Sequence, residues 1–476
     1  MMTLGVVVVL GALLGSPTFA QAPLVRLLES GRSAEEGGDL PRARDAYQAA
    51  VDQHPGSAEA HDRLGFVLGR LGDTAGAIAR FEEAVRLNPR FALAQYHLGA
   101  TLWWTKQTDR ARVALEAVLK IEPAHAEACY YLGLVLLAQG EAAKAIEQLR
   151  RATRAAPNMA VAHQRLGMAL LEQGAPEAAA ASLRRALAVD ASLEGARNSL
   201  GLALLQSGEA DLAIATFRAV LGAKPDDLAA RHNLGSALLQ TADLAGAIAV
   251  YEELTERAPD NAEAYYNLGM ARKQKDDFAG AESALRQAMA KDPRLPEAPY
   301  TLAVVLWQTQ RPEEAIPLLR RTLELRPDDA DAHFTLGTVQ RQQGRVDEAL
   351  ASFREAIRCR PGMAEGHRSL GQILQQRRDA AGAAAAFAEA DRLTQQKADA
   401  QAAVLAVGVG KQRSKDGDVP GAIERFRAAL VLDPQNAEAH FRLAEALRRR
   451  GALRESRDHL AEARRLAPFR FAPETP

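Results

Sequence analysis

Residues 58–90 read AEAHDRLGFVLGRLGDTAGAIARFEEAVRLNPR, and the skeleton of that stretch is Leu64-Gly65, Gly72, Ala77, Phe81, Ala84 and Pro89. The same skeleton returns at intervals of 34 residues: Leu98-Gly99, Leu132-Gly133, Leu166-Gly167, and onward to Leu370-Gly371, with Leu302-Ala303 filling the one gap. A period this strict means stacked structural units. Starts fall at Leu24, Ala58, Ala92, Ala126, Ala160, Glu194, Leu228, Ala262, Pro296, Ala330, Ala364, Ala403 and Ala437. Of the twelve steps between these thirteen starts, eleven are 34 residues long and one, Ala364 to Ala403, is 39.

Each unit predicts two antiparallel helices. Leu64, Val67, Leu68 and Leu71 recur at helical spacing, and Gly72 supplies the left-handed residue that ends a helix. Asp73 can cap the next one. Ile78, Phe81, Ala84, Val85 and Leu87 carry that second helix to Pro89, which has no amide hydrogen to continue it. Gly65, Ala77 and Ala84 are small so that backbones can approach, and Leu64 and Phe81 fill the space beside them. A bulky residue at Gly65 is therefore expected to overpack.

These spacings resemble the tetratricopeptide repeat family, whose phrase places Leu-Gly, Ala, an aromatic and Pro at the same intervals. The resemblance covers residues 24 to about 468. It implies an all-α, right-handed superhelical solenoid of about thirteen 34-residue helix-turn-helix units. The Trp common near each unit's start in that family is missing here, and the usual Tyr three residues after Gly is mostly Leu, as at Leu68, Leu102 and Leu170.

The expected organisation is a signal peptide at 1–20, repeats 1–11 at 24–397, an insertion or extended helix at 398–402, repeats 12–13 at 403–468 and a tail at 469–476. Leu4 to Leu14 is an uncharged apolar run, broken by Gly15, Ser16 and Pro17, with small residues before Gln21. The run is too short to span a bilayer, which needs about 20 apolar residues. Export of a soluble mature chain, without a membrane span, is the expectation. Arg-heavy, Lys-poor, Ala-rich usage points to a bacterial source, hence to a periplasmic or secreted protein. Around 396–402 either the second helix of repeat 11 runs on or the first helix of repeat 12 begins early, and a local kink or a seam before the last two repeats is expected. The charged helix from Arg454 to Leu466 fits a terminal cap.

Composition narrows the chemistry. With 59 basic and 60 acidic residues the formal charge is -1, which gives no general field for nucleic acid or anionic lipid. Cys129 and Cys359 lie nearly seven repeats apart, too far for a disulfide, and are expected to be buried small residues. His61, His163, His333, His367 and His440 share one repeat position, three before Leu. Residues a repeat apart cannot jointly approach a zinc ion, so these are expected to be semi-buried packing residues, and no metal site is assigned. Gly408-Val409-Gly410-Lys411 lies in a helical pattern and lacks phosphate-loop spacing. No pair of carboxylates is set apart for acid-base work. Neither a catalytic constellation nor a cofactor is expected.

What remains is surface. By resemblance, the first helices line the concave face and carry the ligand, with the two residues before Leu pointing there. Those positions and the far ends of the same helices give Tyr96, Trp103, Trp104, Tyr130, Tyr131, Tyr266, Tyr300 and Trp307, which combine apolar area with a polar edge, and Phe334 and Phe441 share the face. Asn233 and Asn267 resemble the inner asparagine ladder in the repeat region of O-GlcNAc transferases, and are expected to contact a peptide main chain; Asn198 stands one repeat earlier, two before Leu. The expected function is a non-catalytic scaffold holding an extended peptide or protein partner, with no nucleic acid. The alternatives are a glycosyltransferase-related protein, expected here without a catalytic domain, and a glycan-binding envelope module.

Overall fold

A computed structural model describes residues 21–193, 195–468 and 471. The leader at 1–20 and nearly all of the tail at 469–476 lie outside these residues, as does Glu194. Among the described residues there are twenty-five helices and no strand. They alternate as first and second helices of successive repeats, for example Ala58–Arg70 with Thr74–Leu87 and Ala92–Trp104 with Thr108–Ile121. No helix among them is long and apolar enough to cross a membrane.

The local chemistry follows the sequence closely in repeat 2. Ser57 accepts from the Ala60 amide and Asp73 from the Gly76 amide, so both helices begin on a side-chain cap. Gly72 has φ +91° and turns the chain between them. Lys106, Ala242, Asp276, Gln310 and Arg378 hold the equivalent left-handed position without glycine, at φ between 60° and 63°. The second helix ends at Leu87, just short of Pro89.

The Leu-Gly glycine is the contact that sets the hairpin. A Cβ on Gly65 would stand 2.8 Å from Phe81 Cε1 and 3.1 Å from the Ala77 carbonyl oxygen. The same relationship, glycine to the residue sixteen further on, recurs at Gly235 against Tyr251 and at Gly410 against Phe426. Gly410 therefore belongs to the repeat skeleton of unit 12, whereas a Cβ on the exposed Gly408 would meet nothing within 4 Å. Ala43, Ala77, Phe81, Ala84 and most of their counterparts are almost wholly buried, with Phe387, Leu460 and Val220 half-buried.

Three expected boundaries shift. The first helix of repeat 1 starts at Gln21, ahead of Leu24. Repeat 6 opens at Ala196, because Gly195 takes a left-handed conformation (φ 73°) at the cap. In repeat 9 the helix begins at Glu297, with Pro296 at its cap.

The long step resolves into one helix, Ala380–Lys415, of 36 residues. Its first half packs on Ala364–Gln376 and its second half on Val419–Leu432. Burial stops at Ala390 and resumes at Ala403, and the intervening turns are largely exposed. The backbone thus runs on where the core is interrupted. The chain divides elsewhere into two compact units: the first holds the described residues to Ala169 with Arg185–Leu193, the second Leu170–Arg184 and the residues from Gly195 onward. That division does not fall at the insertion.

At the C-terminal end, Phe471 is buried and stacks on Phe441 with ring centroids 4.5 Å apart, while Arg464 Nε donates to the Phe471 carbonyl at 3.0 Å. Phe441 is therefore covered by the chain itself and drops out of the expected ligand face.

Candidate peptide-binding face

In the first unit, Tyr96, Trp103 and Trp104 lie on Ala92–Trp104 and Tyr130 and Tyr131 on Ala126–Ala138. The Tyr96 ring stands 5.0 Å from His125 and 6.1 Å from Tyr131, and Tyr131 meets Tyr130 edge-on at 5.3 Å. These distances suit aromatic pairing. Tyr96, Trp103 and Tyr131 also pack against the core between these helices, while Tyr130 packs on Cys129, Ala152 and Ala162. Desolvation, then the neighbouring Tyr131 and Glu127, pushes the Tyr96 phenol up to about 12. Desolvation raises Tyr130 as well, against a lowering influence from Arg165.

Adjacent residues on a helix point about 100° apart. Trp103 consequently turns inward onto the core, whereas Trp104 leaves its indole 72% exposed. Of the expected tryptophan pair, one is framework and the other is surface.

In the second unit, the remaining predicted residues are half-buried and several are already engaged by a neighbouring repeat. Asn233 Nδ2 donates to Asn198 Oδ1 at 3.0 Å. Tyr300 and Thr335 share a hydroxyl hydrogen bond at 3.3 Å, and the Trp307 indole N–H donates to Gln342 at 2.5 Å. Tyr266, Tyr300 and Trp307 also pack on the core. Desolvation raises the phenols of Tyr266 and Tyr300, partly offset by Thr301 and Thr335. Asn267 sits half-buried on the same helix as Tyr266. Asn198 sits two before its Leu, off the expected rungs, and takes up one Asn233 amide hydrogen, so Asn233 keeps its carbonyl oxygen as an acceptor.

These links share one offset. Asp62 meets His97, Tyr96 meets Tyr131, Asn198 meets Asn233, Tyr300 meets Thr335 and Trp307 meets Gln342, each 35 residues on. A step of one repeat plus one residue is what brings side chains of neighbouring first helices together. The Asp62–His97 pair was missed in the sequence, because the period of 34 directs attention to equivalent positions.

The five repeated histidines have a definite structural partner. Nε2 of His61, His163, His333, His367 and His440 lies 2.9–3.1 Å from the carbonyl oxygen of the proline six residues earlier. A carbonyl only accepts, so Nε2 carries the hydrogen. The Pro-x5-His spacing was visible in the sequence and is the signal for this bond.

The comparisons with known proteins agree with this architecture. The tetratricopeptide repeat family models match residues 28–68, 105–160 and 410–471, and also 70–132 and 160–193. Over residues 196–407 the chain is similar to the cilia and flagella-associated protein 70 C-terminal domain. The chain belongs to the tetratricopeptide repeat proteins, a class that in general binds protein or peptide partners as a non-catalytic scaffold. Among solved structures it resembles MamA from Desulfovibrio magneticus, at 25% identity over 36% of this chain and 98% of that one, TM-score 0.34. It also resembles yeast Tom70, at 14% identity over 94% and 98% respectively, TM-score 0.42. YrrB, described as a TPR protein with an unusual peptide-binding site, is 21% identical over 47% of this chain and 95% of its own, TM-score 0.31. No curated protein matches the chain.

Proposed function

We propose that this protein is a non-catalytic scaffold that holds an extended peptide or protein on the face formed by its first helices. The observation that carries this reading is Trp104: an indole 72% exposed, one helix position from a tryptophan that packs, and on the same first helix as Tyr96 of the aromatic group Tyr96, Tyr130 and Tyr131. A large aromatic left in water on a first helix that also carries a half-buried tyrosine suits an interface anchor. In the second unit Asn233, Asn267, Tyr266, Tyr300 and Trp307 offer amide, hydroxyl and ring edges to a peptide main chain.

The same reading places the mature chain in a bacterial envelope, periplasmic or secreted, on the strength of the apolar leader at 1–20. Crosslinked affinity capture from the native envelope tests it, with Trp104→Ala/Tyr130→Ala as the control. Trp103 is kept intact because it packs on the core, and since Tyr130 also rests on Cys129, Ala152 and Ala162, the helical content of the control is checked by circular dichroism before capture. A discrete protein recovered by the native chain and lost by the control supports the scaffold; recovery of isolated cell-wall polymer in its place favours a glycan-binding module.

A further inference from the structure

Repeat 10 places three chemically different donors together. His333 lies on the first helix, Ala330–Gln342, and Glu355 and Cys359 lie one turn apart on the second, Val346–Cys359. A ring nitrogen of His333, a Glu355 oxygen and Cys359 Sγ all lie within 4.8 Å of one another. The thiol also faces a fourth donor, Asp328 Oδ1, at 3.8 Å. Contrary to expectation Cys359 is only partly buried, so the group is open to solvent.

We propose that His333, Glu355 and Cys359 form a binding site for one zinc-class divalent cation, with Asp328, now beside the thiol alone of the three, swinging in as fourth ligand. Nitrogen, thiolate and carboxylate are the donors that such an ion takes in a tetrahedral site. Bonds of about 2.0–2.3 Å set tetrahedral donors about 3.3–3.8 Å apart, so His333, Glu355 and Cys359 have to close by about 1 Å, and the exposed Asp328 carboxylate has to turn toward them. The His333 ring is already held: its Nε2 hydrogen goes to the Pro327 carbonyl at 2.9 Å, which leaves Nδ1 with the lone pair. A second bond of this kind is the usual support of a metal-bound histidine.

The charge around the group fits a cation. The Arg358 guanidinium donates to Asp328 at 2.8 Å, to Glu355 at 2.7 Å and to Cys359 Sγ at 3.3 Å, so a positive group already gathers three of the four donors. Its side chain is 57% exposed and free to swing into solvent when an ion replaces it. On binding, the Cys359 S–H bond breaks, its proton passes to solvent, and the thiolate pair forms the metal–sulfur bond. The other repeats supply an internal control. His61 with Glu83, His367 with Glu389 and His440 with Glu462 repeat the pair, but Leu87, Leu393 and Leu466 replace the cysteine.

The test is titration of the untagged, reduced full chain with Zn2+ against a chromophoric chelator, and with Co2+ followed by thiolate-to-metal charge-transfer absorption. One equivalent should bind. Cys359→Ser should abolish the absorption and weaken Zn2+ at least about tenfold, as should His333→Gln. Cys129→Ser should keep both, and Arg358→Gln should bind several-fold more tightly, an effect of opposite sign that loss of folding cannot imitate. Absence of stoichiometric binding, absorption that survives Cys359→Ser, or affinity unchanged in His333→Gln would overturn the site.

Discussion

His97 Nδ1 lies 2.7 Å from Asp62 Oδ1, joining the first helices of two successive repeats through a carboxylate that is wholly buried. The histidine ring is in turn enclosed by Phe66, Phe81 and Tyr96, with centroids 5.3–5.6 Å away. Asp62 Oδ2 has no partner of its own, so His97 is what compensates the carboxylate. His97→Ala should destabilise repeats 2 and 3 by about 3 kcal/mol, because it leaves a buried acid unpaired. Asp62→Ala/His97→Ala should cost less than His97→Ala. Local hydrogen exchange in residues 58–104 is the suitable readout, since repeat arrays need not melt in one step.

Two glycines of one helix should respond oppositely to alanine. At Gly65 the new methyl meets Phe81 and the Ala77 backbone, so Gly65→Ala should cost about 1–3 kcal/mol. At Gly69 it meets only Ala77 Cβ at an ordinary 3.6 Å, so Gly69→Ala should stabilise by up to about 1 kcal/mol through helix propensity. Denaturant titration of the pair reports the difference.

The turn before Asp243 offers a gain. Ala242 has φ 60°, a conformation that disfavours any side chain. Ala242→Gly should stabilise by about 1 kcal/mol, read as a higher melting temperature, and a lower one would refute the strain assigned there.

Alkaline pH should loosen the first unit. Burial, then the charge of Glu35, pushes the Tyr47 phenol up to about 12, and Tyr96 is raised to a similar value. In the unfolded chain these phenols lose their protons near pH 10. Their neutral forms therefore support the fold fully below pH 10, and that contribution is lost as the pH rises from 10 to 12. Melting curves at pH 9 and pH 11.5 should show the fall, and Tyr47→Phe should make it shallower.

The fold was legible because each repeat carries its own instructions. Gly72 ends a helix, Asp73 starts the next, and the glycine sixteen residues before Phe81 fixes how the two cross. What was not legible depends on pairs that the period hides. Asp62 and His97 sit at non-equivalent positions, and Trp103 and Trp104 look alike until the helix is placed against its neighbours. The missing proline at Gln395 marked an irregularity, but only packing decides that 36 residues form one helix whose middle stands in solvent. For the same reason Phe441 read as surface, its cover being supplied by Phe471 across the last hairpin.

The most direct test of the scaffold reading is the affinity of a captured partner for three forms of the full chain: native, Trp104→Ala/Tyr130→Ala, and Val431→Ala. Val431 is 82% exposed but lies on a second helix, so it controls for the loss of any exposed apolar group. The account predicts at least a tenfold loss for the double variant, about 1.4 kcal/mol or more, with Val431→Ala unchanged. Equal affinity of all three, or a loss confined to Val431→Ala, would contradict it and move the binding surface off the first helices.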